Sequence, residues 1–209
     1  MLSLILAALQ LAPAEVRNVN VFMADYPSNA FHAREQGSVR LSVVITPSAK
    51  VEQCRVLISS GSKSLDQASC NLVFKKAVFR AARDEKGRPA YGLVEVNIGW
   101  RLPAIAPPLE AEPVAPLAEL TVDRLPNSVA GPIDVKVTLL INDAGGIERC
   151  AVPEDADHAD QSSAACEALP RMWPESILRT KAGLSARYVR VLDVRFNAAA
   201  SNGFPPVGS

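Results

Sequence analysis

Apolar and polar residues alternate along three segments in the first half of the chain, as they do in strands with one buried face. The segments are 39–45, 54–58 and 94–102, and in the last of them the apolar positions are Val94, Val96, Ile98, Trp100 and Leu102. Between the second and third segments, Leu65–Phe79 is long enough for four turns of helix. The pattern predicts the order strand, strand, helix, strand (β-β-α-β) in an α+β fold.

The same order recurs in the second half of the chain. A shift of 96 residues aligns Val39–Ile45 with Val135–Ile141, and Val51–Val56 with Ile147–Val152. At the last strand, a shift of 98 aligns Glu95–Ile98 with Asp193–Phe196. We therefore predict two tandem modules, each an antiparallel three-stranded sheet, that fold independently.

The second copy departs from the first in two places. Val189 and Val191 are out of phase with the alternation of 192–196, which predicts a β-bulge. Pro170 and Pro174 predict that the second helix is cut short, because proline lacks the N–H that a helix interior requires. The second copy is therefore predicted to be a degenerate partner of the first.

The four cysteines follow the repeat. Cys54 and Cys70 are 16 residues apart, and so are Cys150 and Cys166. No C-x-x-C pair is present, so zinc and redox motifs are not indicated. The alternative is four free thiols in small apolar sites. The matched spacing favours one disulfide within each copy, and Cys54 faces the predicted helix that carries Cys70.

Composition divides the chain into five segments. Residues 1–14 combine an apolar run with Ala12-Pro13-Ala14 and predict a signal peptide, the alternative being a misassigned start. Residues 15–102 form the first domain and 103–117 a proline-rich linker. The second repeat covers 118–197, and the small residues of 198–209 predict a disordered tail. Export to the periplasm, or another exported location, follows from the first segment and the cysteines.

Charge and motifs exclude several functions. The formal net charge is +0 and the isoelectric point about 6.7, unlike the basic surface of a nucleic-acid-binding protein. His158 lies in the acidic run 154–160, but the spacing of a calcium loop is absent, so we predict no metal site. Ser59-Ser60-Gly61 lacks the Gly-x-Ser-x-Gly pattern of a nucleophile elbow and instead predicts a helix-entry turn with a capping role. No enzyme, cofactor or small-molecule substrate is predicted.

A set of residues in the first copy resembles the C-terminal domain of TonB-type energy transducers. In chain order they are Tyr26-Pro27, Ala30, Gly37-x-Val39, Pro47, Val51, Ser59-Ser60-Gly61, Leu65-Asp66-x-Ala68, Phe79, Ala81, Asp84, Gly87-x-Pro89 and Trp100-Arg101-Leu102-Pro103. Cys54 and Cys70 resemble the cysteine pair of one subgroup. In the second copy, Leu125-Pro126 stands where Tyr26-Pro27 would, and the hairpin, cysteines and last strand are the parts retained.

The resemblance implies a small antiparallel sheet with helices packed on one face. Members of the family sit in the periplasm and pair a sheet edge with a peptide from an outer-membrane transporter. A transducer also has an anchor and a long spacer before this domain, whereas residue 25 here follows the apolar run almost directly, so we do not predict force transmission. The implied partner-binding edge is the last strand, through Leu93, Glu95, Asn97, Gly99 and Arg101.

Two functions remain open from the sequence. The first is a periplasmic interaction module that binds an extended peptide by strand addition and is linked to energy-dependent transport. The alternative is a structural envelope protein whose two repeats seal each other's edges and bind no peptide. They differ in whether the outer edge of the last strand is free.

Overall fold

The computed structural model describes residues 11–103, 118–122, 131–153, 156 and 158–198. Most of the predicted signal peptide, the linker from residue 104, Leu125-Pro126 and the tail beyond residue 198 lie outside this set. From Leu11 onward the chain packs on the first half: the Ala12 main chain pairs with Arg83, and Ala14 is buried.

The first half contains two helices and six strands among its described residues, and a short 3-10 helix over Met23–Asp25. In chain order they are β1 (Glu15–Asn18), α1 (Ser28–His32), β2 (Gly37–Ile45), β3 (Val51–Ile58), α2 (Lys63–Lys76), β4 (Val78–Arg80), β5 (Ala82–Arg83) and β6 (Pro89–Trp100). The predicted helix ends three residues early, because Phe79 lies in β4 opposite Val16 of β1. The α+β class and the order strand, strand, helix, strand are confirmed for β2, β3, α2 and β6.

Several described elements of the second half recur at a constant separation from those of the first. They are β7 (Ala118–Val122), β8 (Ile133–Ile141), β9 (Ile147–Ala151), α3 (Ala159–Met172), β10 (Leu178–Arg179), β11 (Ser185–Ala186) and β12 (Tyr188–Ala198). Both ends of β8 lie 96 residues after those of β2, and both ends of α3 lie 96 residues after those of α2. The prediction of a shorter second helix was therefore wrong: α3 includes Pro170 in its last turn and ends at Met172.

Strand pairing also corrects the register of the repeat at its end. Val43 and Val94 are partners in the first half, and Leu139 and Arg190 are partners in the second. Because Leu139 lies 96 residues after Val43, Arg190 corresponds to Val94, and Phe196 corresponds to Trp100. The shift of 98 was wrong, since a displacement of two residues keeps every side chain on the same face of a strand and matches apolar positions equally well.

The two halves share one sheet. Eight of the described strands belong to it, with a main order β3-β2-β6-β12-β8-β9, and β5 and β7 attached at its middle. The halves join where β6 and β12 run parallel, with Tyr91, Gly92 and Leu93 beside Tyr188, Val189 and Arg190. Each half supplies three antiparallel strands as predicted, but these strands do not form separate sheets.

The helices α2 and α3 cover opposite faces of this sheet. Along β6, Val96 and Ile98 pack in the core that contains α2, whereas Tyr91 and Leu93 pack against the core that contains α3. In return, Leu140 and Val189 of the second half are buried in the core of the first. Each core is therefore completed by two side chains of the other half.

Candidate functional site

The candidate site is the border of β6 that faces away from β2. On β6 the side chains of Val96, Ile98 and Trp100 are buried in the first core. Glu95, Asn97 and Gly99 alternate with them and are exposed on the other face, and Arg101 is exposed just after the strand. The predicted edge residues thus lie on one face, as the alternation required.

Main-chain groups decide whether this border can accept another strand. The Thr46 N–H donates to the Lys50 carbonyl at 2.8 Å across the β2–β3 hairpin. Because these groups point alternately to the two sides of a strand, even-numbered residues of β2 face β3 and odd-numbered residues face β6. The β2–β6 register pairs Val43 with Val94 and Leu41 with Val96 and has no shift.

Even-numbered residues of β6 therefore direct their N–H and C=O groups to β2. Leu93, Glu95, Asn97 and Gly99 direct theirs to the opposite side. The outward N–H and C=O groups of these four residues therefore lie on the border of β6 that was predicted as the binding edge.

The second half occupies only the first part of this border. Leu93 is the last residue of β6 that pairs with β12. Beyond it the two strands diverge, and β12 pairs instead with β7, through Val194–Ala198 and Ala118–Val122. Among the residues that the structure describes, no strand pairs with Glu95, Asn97 or Gly99 on this side. Of the five predicted edge residues, Leu93 is thus already used in joining the halves.

A cavity of about 430 Å³ opens where β6 and β12 diverge. Leu93, Glu95 and Asn97 line it from β6, and Asp193 lines it from β12. Lys136 of β8 forms an ion pair with Asp193, and the Arg40 Nε donates to the Asn97 Oδ1 at 3.3 Å. Second-half residues were missing from the predicted site, because only the pairing of β6 with β12 brings them there.

Ionic contacts fix the two halves beside the shared strand pair. Arg187 donates from Nε to Glu148 at 2.6 Å and from Nη2 to Glu85 at 3.0 Å, and its Nη1 lies 3.4 Å from Asp84. The hydrogen bond from Arg187 lowers the pKa of Glu148, and the same bond raises the pKa of Arg187. Burial raises the pKa of Asp84, but hydrogen bonds from Arg88 and Lys86 outweigh it and leave the pKa below its usual value.

A second set of contacts runs in the reverse direction. The main-chain N–H of Lys181 donates to the Glu52 Oε1 at 3.2 Å, and the Gln53 Nε2 donates to the Arg179 carbonyl. Glu52 thus contacts the turn between β10 and β11 of the second half, whereas Arg187 of the second half contacts Glu85 in the turn after β5 of the first. Contacts in both directions therefore join the two halves.

Comparison with known families assigns the half of the chain that carries this edge. Residues 24–102 match the family described as Gram-negative bacterial TonB protein C-terminal. The match covers less than half of the chain, and we refer to these residues as the TonB C-terminal domain. The match confirms the resemblance for the first copy and ends at Leu102, just past the candidate edge. No curated protein matches the chain.

TonB C-terminal domains are periplasmic protein-interaction domains linked to TonB-dependent transport, and the family is not a family of enzymes. The match does not extend to the second copy or to a cysteine-containing subgroup. Across the described residues, no helix is long and apolar enough to span a membrane. The same residues contain no group of three or more histidine, cysteine or acidic side chains that could hold a metal ion.

Ser59-Ser60-Gly61 forms the turn before α2 of the TonB C-terminal domain. The Asp66 carboxylate accepts from the Ser59 hydroxyl at 2.5 Å and from the Ser60 N–H at 2.9 Å. Burial raises the pKa of Asp66, but these hydrogen bonds outweigh it and lower the pKa overall. The Ser62 side chain accepts from the Leu65 N–H and caps the helix. The serines therefore organise the entry to α2.

Both cysteine pairs lie at disulfide distance, one inside the TonB C-terminal domain and one in the second half. The Cα atoms of Cys54 and Cys70 are 5.8 Å apart, and those of Cys150 and Cys166 are 5.5 Å apart. Each pair ties the second strand of its half to the following helix. The bond therefore fixes the helix against the side of the sheet away from β6 and β12.

We expect the double substitution Cys54→Ser/Cys70→Ser to lower the free energy of unfolding by about 3 kcal/mol, because it opens a covalent loop in the unfolded chain. The measurement is urea unfolding followed by circular dichroism. The single variant Cys54→Ser leaves Cys70 as a free thiol, so mass spectrometry after alkylation reports the pairing. If Cys70 is instead found joined to Cys150 or Cys166 in the unaltered chain, pairing within each copy is wrong.

Proposed function

We propose that this chain is an exported interaction protein that binds an extended peptide along the β6 border of its TonB C-terminal domain. The peptide would add as a strand beside Glu95, Asn97 and Gly99, and it would come from the N-terminal region of an outer-membrane transporter. The family that residues 24–102 match supports location in the periplasm. The proposal rests on an interaction function of the family and on the main-chain direction of this border.

One observation carries the proposal: β6 and β12 pair over only three residues and then separate. A strand border with outward N–H and C=O groups either recruits a strand or is protected from doing so. The side chains along this border include no proline and no lysine, the residues that commonly block edges. Glu95, Asn97 and Gly99 are successive outward-facing residues of β6. A peptide strand of about five or six residues could pair with them.

The alternative is a structural protein in which the two halves seal each other. The parallel pairing of Tyr91–Leu93 with Tyr188–Arg190 and the Arg187 contacts favour it, because they close part of the border within the chain. Under this alternative, transporter peptides would not bind. The two functions therefore separate in a single binding experiment.

We expect Asn97→Pro to weaken capture of transporter N-terminal peptides by roughly tenfold or more. Proline removes the outward N–H and breaks the register of an added strand, while the bonds of β6 to β2 come from its even-numbered residues. Asn97→Ala is the matched control, because it removes the same side chain and keeps the N–H. Peptide affinity is measured by fluorescence anisotropy after circular dichroism has established that each variant folds.

Amide hydrogen exchange provides a second readout on the unaltered chain. Bound peptide should slow exchange at Glu95, Asn97 and Gly99 and leave even-numbered residues of β6 unchanged, because those amides already face β2. Equal capture by a folded Asn97→Pro variant, or unchanged exchange at all three residues with peptide present, would exclude strand addition here and favour the structural role.

A further inference from the structure

A second concave site lies in the other half of the chain, between the end of α3 and strand β12. This groove has a volume of about 400 Å³, and most of its walls are apolar. We call it the α3 groove, and the wall residues that matter below are Leu169, Met172, Trp173, Pro174, Arg190 and Leu192. It lies on the face of the sheet that carries α3.

Arg190 gives the α3 groove a charge that the described part of the chain does not neutralise. Its guanidinium lies 5.7 Å from the centre of the Trp173 ring. Its Nε is buried and has no hydrogen-bond partner in the structure. Glu119 stands on the exposed rim, where its charge acts on Arg195. A buried guanidinium N–H without an acceptor is costly, so an anionic group that enters the groove would gain a charge-assisted hydrogen bond.

In the first half, an extended strand lies beside the positions that correspond to the α3 groove. The positions 96 residues before the α3 groove wall include Val73, Ala77, Val78 and Val94. In that half the extended strand β1 lies across β4, with Val16 opposite Phe79. Val16 packs against the first core, and the carboxylate of the neighbouring Glu15 forms an ion pair with Arg80. An extended segment with an apolar residue beside an acidic one thus lies along β4, whose positions correspond to 174–176 of the second half.

In the second half, Ala118 and Glu119 of β7 border the groove, but β7 pairs with β12, and no described strand pairs with the residues that correspond to β4. Pro174, Glu175 and Ser176 occupy the positions of β4 and belong to no strand. The position of Arg80 in β4 is taken by Ser176 in the second half, which carries no charge. A cation is supplied instead from β12, where Arg190 stands at the position of Val94. Apolar walls and a cation therefore face the same open space in a different arrangement.

We propose that the α3 groove binds an extended segment of a partner protein in which an apolar residue adjoins an acidic one. The apolar side chain packs on Leu169, Trp173 and Leu192, and the carboxylate accepts from Arg190. The occupant is a peptide segment because β1 lies in extended form along the corresponding positions of the first half, and it is acidic because the groove's buried charge is positive. Arg190 also lines the cavity where β6 and β12 diverge, so the two sites adjoin, and different variants are needed to distinguish them.

The test uses the full chain and a labelled synthetic peptide with the sequence of residues 12–19, APAEVRNV, which spans the strand that pairs with β4 in the first half. We expect this peptide to bind and to shift the indole N–H signal of Trp173 in nuclear magnetic resonance spectra. Arg190→Met should weaken binding roughly tenfold or more, because it removes the guanidinium that donates to the peptide carboxylate while keeping an apolar side chain. Arg171→Met, on the exposed side of α3, is the matched control and should bind as the parent does.

A peptide with glutamine in place of its glutamate completes a double-mutant cycle. It should bind the parent more weakly, yet bind Arg190→Met as well as the original peptide does. Asn97→Pro should leave all these affinities unchanged, which separates failure of this site from failure at β6. Absence of binding at millimolar peptide, or equal binding by a folded Arg190→Met variant, would overturn the proposal. Binding that appears only when residues 104–117 are replaced by glycine and serine would also overturn it, because the occupant would then be this chain.

Discussion

Replacing Trp100 by alanine is expected to lower the free energy of unfolding by about 3–5 kcal/mol. The Trp100 side chain is fully buried, and its indole N–H donates to the Ser69 hydroxyl at 2.8 Å. Its ring meets Tyr26 edge-on, with centroids 5.3 Å apart. Truncation would leave a large cavity beneath α2 and remove the partner of a buried hydroxyl. Urea unfolding followed by circular dichroism measures the loss.

Trp173→Ala is the matched control, because Trp173 is only half-buried at the end of α3, where its indole N–H donates to the Gly145 carbonyl at 3.3 Å. We expect this variant to lose no more than about half as much stability as Trp100→Ala. Equal losses from the two substitutions would mean that the core around Trp100 relaxes to fill the cavity. Burial of Trp100 at the end of β6 would then not be the main source of stability in this core.

Alternation was sufficient to predict which face of β2 packs on the first core. Val39, Leu41, Val43 and Ile45 were assigned to one face of a strand, and all four are completely buried in that core. Ser42 and Val44 on the other face are buried as well, so the alternation predicted the orientation of the strand but not the burial of its second face. The same reasoning placed Glu95, Asn97 and Gly99 together on β6.

Alternation failed at the start of β12, where it predicted a bulge. The pairing of β12 with β8 runs from Tyr188 to Phe196 without any shift, so there is no bulge. Tyr188 is buried in the second core and Val189 in the first, because here the strand passes between helices on opposite faces. A strand that is buried on both faces loses the period of two. The sequence could not reveal this, since the second face belongs to the other half.

The limits of the candidate site could not be predicted for the same reason. Leu93 looked equivalent to Glu95 and Asn97 along the strand, yet only Leu93 lies beside Arg190 of β12. The junction depends on three residues of each half that are far apart in sequence. No local pattern marks such a short parallel pairing. The predicted helix boundaries at Phe79 and Pro170 were wrong for related reasons. Phe79 pairs with β1 instead of extending α2, and Pro170 is accommodated in the last turn of α3.

The strongest expected effect at the junction of the halves is that of Val189→Asp, which should lower the free energy of unfolding by about 3–5 kcal/mol. Val189 belongs to the second half but is fully buried in the first core. A carboxylate there would be desolvated with no cation beside it in the described core. Its pKa would rise, so part of the loss should be recovered below about pH 5, where the carboxyl group is protonated.

Val191→Asp is the matched control, because it introduces the same charge at a less buried position of the same strand. Val191 lies on the same strand and the same face, two residues further on, but it is half-buried beside the cavity between the diverging strands. We expect it to cost about 1 kcal/mol or less. Hydrogen exchange should show that Val189→Asp loosens β2 and β6 of the first half as well as β12. If protection is lost in the second half alone, the halves fold independently as the sequence first suggested, and their shared core adds little to the stability of either.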